Sequence, residues 1–330
     1  MKKGLGTNRN SWLTCTTYFK TFLITFTGLA FVMNVSASEV TISNAVYLDQ
    51  NLQTDKTVKA IVTITWKNAW HNEKNHDAIW LFFKINNAHE TRSQRHVNIK
   101  PNSARLVHDY LNTVTPSFWV SEDQMGIMVY PSKKYRGDVS WRIQLELDVS
   151  GIETLNFNDA LFISPHAIEM VYIPKGAFYA GSPDPVAQKN NAPFFTYSSG
   201  SPYKIESEEA IQVGTVQESL FYNNQNDTLY KGDAKGPIPS GFPKGFNAFY
   251  IMKYELSEGN YTAFLNSISE YFTANRAGFM GRSYGNERGS ITLKNGMYET
   301  TNPNRPATFL SFDDDCAFAD WAGLRPMTEL

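Results

Sequence analysis

Residues 139–149 alternate strictly between apolar and polar side chains. The apolar positions are Val139, Trp141, Ile143, Leu145, Leu147 and Val149. Because successive side chains of a strand point to opposite faces, this period of two predicts a strand with one buried and one wet face. The pattern therefore indicates that at least the first half of the chain is built from β-strands.

Two earlier runs support the same interpretation. Residues 58–66 alternate in the same way, and residues 78–85 are apolar on both faces, which is typical of a central strand. Segments with proline and asparagine separate these runs, and no convincing amphipathic helix interrupts them. We therefore predict an all-β sandwich over residues 38–160.

The first 37 residues have the order of a targeting segment. Four cations come first, at Lys2, Lys3, Arg9 and Lys20. An apolar run over residues 21–33 follows, and Val35 and Ala37 supply the small side chains of a signal peptidase site. The run is short for a membrane span, so we expect a cleaved signal peptide, with an uncleaved anchor as the alternative. We expect a secreted, periplasmic or cell-envelope protein with no transmembrane helix after cleavage.

Charge and cysteine content narrow the function further. The chain has 30 basic and 32 acidic residues and no basic run interleaved with aromatics, so we expect no nucleic-acid partner.

Cys15 lies in the targeting segment, which leaves Cys316 without a partner for an internal disulfide. Phe312 and Ala319 flank Cys316 on a predicted helix, and no histidine is near in sequence. We therefore expect a buried small side chain rather than a nucleophile.

A second region begins near Glu169. The segment EMVYIPKGAFYAGS predicts a strand, a turn and another strand, and residues 183–246 predict a long loop rich in Asn, Gly, Pro and Ser. Five aromatic residues in that loop either line a sugar or peptide surface or fasten the loop to its scaffold, and we favour the second reading. They are Tyr197, Tyr203, Phe221, Tyr222 and Tyr230.

Two helices are predicted after the loop. Ser257 can cap the first, whose apolar face is formed by Tyr261, Phe264, Leu265, Ile268 and Phe272. Ser311 can cap the second, in which the aspartates at 313–315 favour the positive helix end and Gly323 favours a left-handed stop. A cation site at the three aspartates is the alternative.

One short segment carries four potential metal ligands. His71, Glu73, His76 and Asp77 lie within seven residues of one another. Imidazole and carboxylate groups bind several metals, so a metal cluster is one interpretation. We favour a polar connection between two strands, because Trp70 and Trp80 bracket the segment as strand residues would.

Three segments, in this order, resemble the formylglycine-generating enzyme family, also known as sulfatase-modifying factors. MVYIPKGAFYAGS resembles its opening strand pair, and FYIMKYELSEGNYTAFLN resembles its strand-then-helix segment, which usually ends Tyr-Glu-Val-Thr-x-x-x-Tyr-x-x-Phe. NRPATFLSFDDDCAFADWAGLRPMTEL resembles its Trp-Ala-Gly-x-Arg-Leu-Pro-Thr-Glu segment. An exported version with an added β-sandwich looks most like proteins of the Bacteroidetes group.

The resemblance implies a C-type-lectin-like domain over residues 166–330, which makes the fold class α+β. Thr328-Glu329 looks like the start of a further helix, so we expect a C-terminally truncated fragment. In that case the face of the helix over residues 261–272 would lack part of its packing partner. Phe312 and Ala319 stand where the family usually has tryptophan and cysteine.

The same resemblance bears on chemistry. The family's catalytic cysteine pair, its Gly-Asn-x-Trp-Glu-Trp segment and its calcium loops lie beyond the Thr-Glu helix and have no matching positions here. We therefore expect no catalytic, cofactor or metal residue in this chain, with copper or iron belonging to a full-length parent. The favoured function is a non-catalytic binding or structural module of the cell envelope, with a protein or glycan partner. The alternative is a fragment of a formylglycine-generating or non-haem iron oxidase that acts on a thiol.

Overall fold

The computed structural model describes residues 40–52, 54–90, 92–181, 194–221, 236–277 and 289–327. Strands account for 44% and helices for 11% of the described residues, so this part of the protein is mostly β, which is compatible with the α+β class. The predicted signal peptide at residues 1–37 and the predicted helix start at Thr328-Glu329 lie outside the described residues.

Ten strands form one curled antiparallel sheet. In chain order they are β1 (Val40–Asn51), β2 (Thr57–His71), β3 (Asp77–Asn87), β4 (Arg95–Ile99), β5 (Arg105–Asp109), β6 (Pro116–Val120), β7 (Ile127–Pro131), β8 (Tyr135–Asp148), β9 (Leu161–Ile173) and β14 (Phe249–Met252). The main path through the sheet is β1-β2-β8-β4-β3-β7-β6. β5 pairs with β8, β9 pairs with β3, and β14 pairs with β9.

The strands predicted from periodicity are confirmed. β8 alternates between buried and half-buried positions over most of its length, as its period of two requires. Every side chain of β3 is buried, as expected for a strand that is apolar on both faces. Lys84 is part of that buried run, which its residue type did not indicate.

β9 runs across the place where we predict the boundary between the two regions. It pairs with β3 from Val171 opposite Asp77 to Leu161 opposite Asn87. The strand predicted at the start of the second region is therefore the end of β9, which lies in the same sheet as β3. β14 pairs with this end of β9. The division into residues 38–160 and 166–330 remains a prediction.

The remaining strands form three small pairs. β10 (Phe178–Ala180) pairs with β12 (Tyr203–Ile205), β11 (Phe195–Thr196) with β13 (Leu220–Phe221), and β15 (Thr292–Lys294) with β16 (Met297–Glu299). The predicted loop over residues 183–246 thus contains short strands in its described part. A small apolar core that includes Ile205, Val213 and Leu220 holds this part together.

Three helices lie in the described part of the chain: α1 (Glu258–Ser267), α2 (Glu270–Arg276) and α3 (Phe312–Ala322). Ser257 caps α1 as predicted, because its hydroxyl accepts a hydrogen bond from the Asn260 N–H. The predicted continuous face up to Phe272 is wrong. Ile268 has an extended backbone that ends α1, and Phe272 lies on α2 with its side chain exposed.

The predicted start and stop of α3 are confirmed. The Ser311 hydroxyl accepts a hydrogen bond from the Asp314 N–H, and the Asp314 carboxylate accepts one from the Ser311 N–H, which forms a capping box. Gly323 ends the helix with a left-handed φ of 66°.

β3 separates two apolar cores. Ile79, Leu81, Phe83 and Ile85 face the core that β2 and β8 line. The opposite face carries Ala78, Trp80 and Phe82, and α1 and α3 pack on it through Tyr261, Phe264, Leu265 and Trp321. The expectation that the face of α1 lacks part of its packing partner is therefore wrong for Tyr261, Phe264 and Leu265.

Candidate functional site

Two aromatic rings from different branches of the curled sheet meet beside each other. Trp119 lies on β6 and Tyr250 lies on β14, the terminal strands of the two branches that leave β3. Their ring centroids are 6.2 Å apart with an angle of 22° between the planes, an offset-stacked arrangement. Trp119 keeps 46% of its surface exposed. We call Trp119, Tyr250, Tyr130, Tyr172 and His76 the aromatic platform.

His76 connects the members of the aromatic platform. Its ring centroid lies 4.3 Å from that of Tyr130 and 4.9 Å from that of Tyr172, at interplanar angles of 25° and 10°. Burial, together with His71, lowers the pKa of His76 to about 4, so the ring is neutral near pH 7. Burial also raises the pKa of Tyr250. The Tyr250 hydroxyl forms a hydrogen bond with Nε2 of His76, across 2.8 Å.

A tight hairpin between β2 and β3 positions His76. Oδ1 of Asn72 accepts hydrogen bonds from the N–H groups of Lys74 and Asn75, at 2.7 and 2.9 Å, which closes the turn. Nδ1 of His71 donates to the Pro131 carbonyl. The predicted polar connection between two strands is thus confirmed.

The metal interpretation of this hairpin finds no support among the residues that the structure describes. No group of three or more His, Cys, Asp or Glu side chains there could hold a metal ion. Asp77 turns instead to Lys253, whose Nζ lies 2.9 Å from Asp77 Oδ2 and 2.5 Å from Glu169 Oε1.

The Lys253 ammonium is therefore shared by two buried carboxylates. Burial opposes its charge, but the hydrogen bonds to Glu169 and Asp77 raise the pKa of Lys253, so the group stays a cation. Burial raises the pKa of Glu169, and Lys253 acts against that rise. Asp77 follows His76 directly, so the two side chains leave β3 and its hairpin on opposite faces.

A second polar cluster is buried between the sheet and α3. Lys84 is only 3% exposed, its Nζ lies 3.0 Å from Nδ1 of His96, and it sits 5.3 Å from the centroid of the Trp321 ring. Nε2 of His96 bonds to the Met125 carbonyl and must donate, so Nδ1 accepts from Lys84. Burial lowers the pKa of Lys84 to about 7 and that of His96 to about 4.

Cys316 does not have the buried position that we predict. Its side chain is partly exposed, and Phe312 one turn earlier is largely exposed. The buried residues of α3 are Asp314, Phe318, Ala319, Trp321 and Ala322 instead. Cys316 is the one cysteine in the described part of the chain, whereas Cu(I) sites need several soft sulfur ligands. The described residues therefore do not supply the several thiolates that a Cu(I) site needs.

The three aspartates of α3 lie in its first turn, as the favoured helix-start interpretation predicts. Asp314 forms the capping box, and its Oδ1 also accepts a hydrogen bond from Arg276, at 3.2 Å. Asp314 is therefore already satisfied by protein donors. The helix-start interpretation is confirmed, because all three aspartates lie in the first turn of α3.

The described aromatic residues of the long loop fasten the loop to itself. The Phe221 ring packs against Phe195 and Tyr197, with centroid separations of 5.0 and 5.5 Å. Tyr203 lies on β12, where it pairs with Ala180 of β10, and it packs against the small apolar core. These contacts fit the favoured interpretation for the described members, while Tyr222 and Tyr230 lie outside the described residues.

Comparison with known protein families, with curated proteins and with solved structures finds no match for this chain. None of the helices in the described ranges is both long enough and apolar enough to cross a membrane.

Proposed function

We propose that this chain is an exported, sulfatase-modifying-factor-like protein that serves as a non-catalytic binding or structural module of the cell envelope. Its partner in this proposal is a protein or a glycan. The observation that carries the proposal is the aromatic platform, in which Trp119 is braced against Tyr250 yet stays 46% exposed.

The exposed Trp119 ring, held against the half-buried Tyr250, favours binding over a purely internal role. Large apolar side chains gain free energy by burial, so a fixed aromatic surface left in water is typical of an interaction site. Tyr250 is held by its hydrogen bond to His76, which is itself stacked between Tyr130 and Tyr172. A partner therefore has little side-chain motion to restrict when it binds Tyr250.

The proposed family membership draws support from where the resembling segments lie. The first ends β9, the second provides β14 and α1, and the third provides α3. Met170 of β9 is paired with Met252 of β14, and the Phe264 and Trp321 rings lie 5.7 Å apart. Three segments far apart in sequence thus pack into one core. A C-type-lectin-like domain that follows a β-sandwich is our proposal for the finer fold.

The alternative function is a fragment of a formylglycine-generating or non-haem iron oxidase that acts on a thiol. The resemblance of the same three segments favours it. Incubation of residues 38–330 with a sulfatase-type cysteine peptide, copper and oxygen tests it by mass spectrometry of the peptide. We expect no conversion, and a chain-dependent mass loss of about 18 Da at the cysteine would establish the oxidase.

Export is tested first, and envelope binding is tested next with the exported product. The chain, expressed with its leader in a Gram-negative host, should give an exported product that begins at or near Ser38 by intact mass. A full-length species confined to the cytosol would contradict export.

The purified product should then co-sediment with washed bacterial envelopes. Trp119→Ala should reduce this association, whereas Tyr179→Ala, which removes an exposed ring on β10, should not. Absence of co-sedimentation, or equal binding by the wild type and both variants, would contradict a binding role for the aromatic platform.

A further inference from the structure

We propose that the aromatic platform binds a neutral oligosaccharide, with the exposed ring of Trp119 stacking on a sugar unit and the nearby phenol hydroxyls bonding to the sugar. This inference rests on the proposed function and deepens it, because it commits the partner to a glycan rather than a protein. The geometry of the two rings, the free phenol hydroxyls and the pairing of the nearby charges each support it.

The first support is the exposed ring of Trp119. Its centroid lies 6.2 Å from that of Tyr250, with an angle of 22° between the planes, and 46% of the Trp119 surface remains exposed. The C–H groups on the flat side of a sugar carry partial positive charge, which the negative face of an aromatic ring attracts.

The second support is the set of hydroxyl groups beside the rings. The Tyr172 and Tyr250 ring centroids lie 5.3 Å apart, and Tyr130 stacks on His76 at 4.3 Å, so the three phenols lie in one neighbourhood. Within the described residues, the Tyr250 hydroxyl bonds to His76, while those of Tyr130 and Tyr172 form no hydrogen bond to the protein. Both side chains are half-buried. Each hydroxyl can donate one hydrogen bond and accept others, which suits a ligand covered in hydroxyl groups.

The third support is the pairing of the charges near the aromatic platform, which favours a neutral ligand. The Lys253 ammonium is paired with both Asp77 and Glu169 and so offers no unpaired charge to a ligand. The nearby hairpin exposes Glu73 and Lys74, whose opposite charges offset each other. A strongly anionic or cationic partner therefore finds no complementary charge at these residues.

The test is calorimetric titration of the purified chain with neutral β-linked hexasaccharides of glucose, xylose and N-acetylglucosamine. Glucose alone and an oligogalacturonate, which is anionic, serve as comparison ligands. We expect at least one neutral oligomer to bind more tightly than glucose and than the anionic oligomer, because an oligomer can stack on Trp119 and reach the phenol hydroxyls at the same time. Trp119→Ala should weaken that binding at least about tenfold, whereas Trp119→Phe should retain part of it.

Two controls keep the result interpretable. Tyr179→Ala, which removes an exposed ring outside the aromatic platform, should bind like the wild type. Trp119→Ala should still unfold in one cooperative transition, although loss of the stacking on Tyr250 should lower its midpoint.

The outcomes separate this inference from the proposed function. Failure of all three neutral oligomers to bind, tighter binding of the anionic oligomer, or equal weakening by Tyr179→Ala would overturn the glycan inference. If envelope binding still depends on Trp119 in that case, the proposed function stands and the partner is a protein. If the chain does not bind envelopes at all, the proposed function itself fails.

Discussion

The Tyr250 hydroxyl lies 2.8 Å from Nε2 of His76, although 174 positions separate the two residues in the chain. This hydrogen bond ties the hairpin before β3 to the strand before α1. It therefore joins the predicted β-sandwich region to the region that resembles the formylglycine-generating enzymes. The candidate site consequently belongs to both regions, and we expect it to depend on their packing together.

The ion cluster behind this contact gives the first prediction. Lys253→Met should lower the free energy of unfolding by about 3 kcal/mol near pH 7, because Asp77 and Glu169 would remain buried without a cation. Lys204→Met provides the control, since it breaks an exposed pair with Glu206 and should cost no more than about 1 kcal/mol. Urea unfolding of both variants measures the difference.

The same variant should respond to pH. Burial raises the folded-state pKa of Glu169, and loss of Lys253 removes the group that opposes that rise. The folded variant then binds a proton more readily than the unfolded chain, so its deficit should shrink as the pH falls from 7 toward 5. A deficit that is constant with pH, or equal in Lys204→Met, would contradict this account.

Lys84 gives a prediction for alkaline pH. Its folded-state pKa is about 7, against an ordinary value of 10.5, because burial disfavours the ammonium. Between these values the unfolded chain holds a proton that the folded chain has released, so the free energy of unfolding should rise with pH. The slope from this group is at most about 1.4 kcal/mol per pH unit.

Comparison of two lysine variants isolates that slope. Lys84→Met should lose this contribution between pH 7 and 10, and should gain stability relative to the wild type as the pH falls toward 7. Lys74→Met, at an exposed hairpin position, should follow the wild type throughout. Parallel curves for the wild type and Lys84→Met would show that Lys84 remains charged in the folded protein.

Gly323 gives a prediction about the end of α3. An added Cβ would lie 3.1 Å from Cβ of Met125 and 3.3 Å from Cε1 of His96, and the left-handed φ of 66° disfavours a side chain. Gly323→Ala should therefore destabilise the protein by about 1–2 kcal/mol. Gly151→Ala, where nothing lies within 4 Å, should be neutral or slightly stabilising. Equal melting temperatures for the two variants would contradict the strained stop.

Local chemistry explains which features the sequence predicts. Strand β8 follows from strict alternation, and the ends of α1 and α3 follow from Ser257, Ser311 and Gly323, because capping depends on a few adjacent residues. The break at Ile268 was not visible, since the apolar spacing continues through it. At that point the Ser267 carbonyl accepts a hydrogen bond from the Gln94 N–H, a contact between residues distant in sequence.

The candidate site was beyond prediction for a different reason. Trp119, Tyr130, Tyr172 and Tyr250 each occupy an ordinary strand position, and only the curl of the sheet brings them around His76. No local pattern encodes that curl. Likewise, a lysine within an apolar strand is usually expected to reach water, and the burial of Lys84 depends on where α3 packs.

Fluorine NMR of protein labelled with fluorotryptophan tests the central claim most directly. The Trp119 signal can be assigned by its disappearance in Trp119→Phe. On addition of the neutral oligosaccharide that binds most tightly, the signal of the exposed Trp119 should shift, while that of the fully buried Trp141 should not. A titration in which the oligosaccharide binds but the Trp119 signal stays fixed would place the glycan elsewhere and contradict the account.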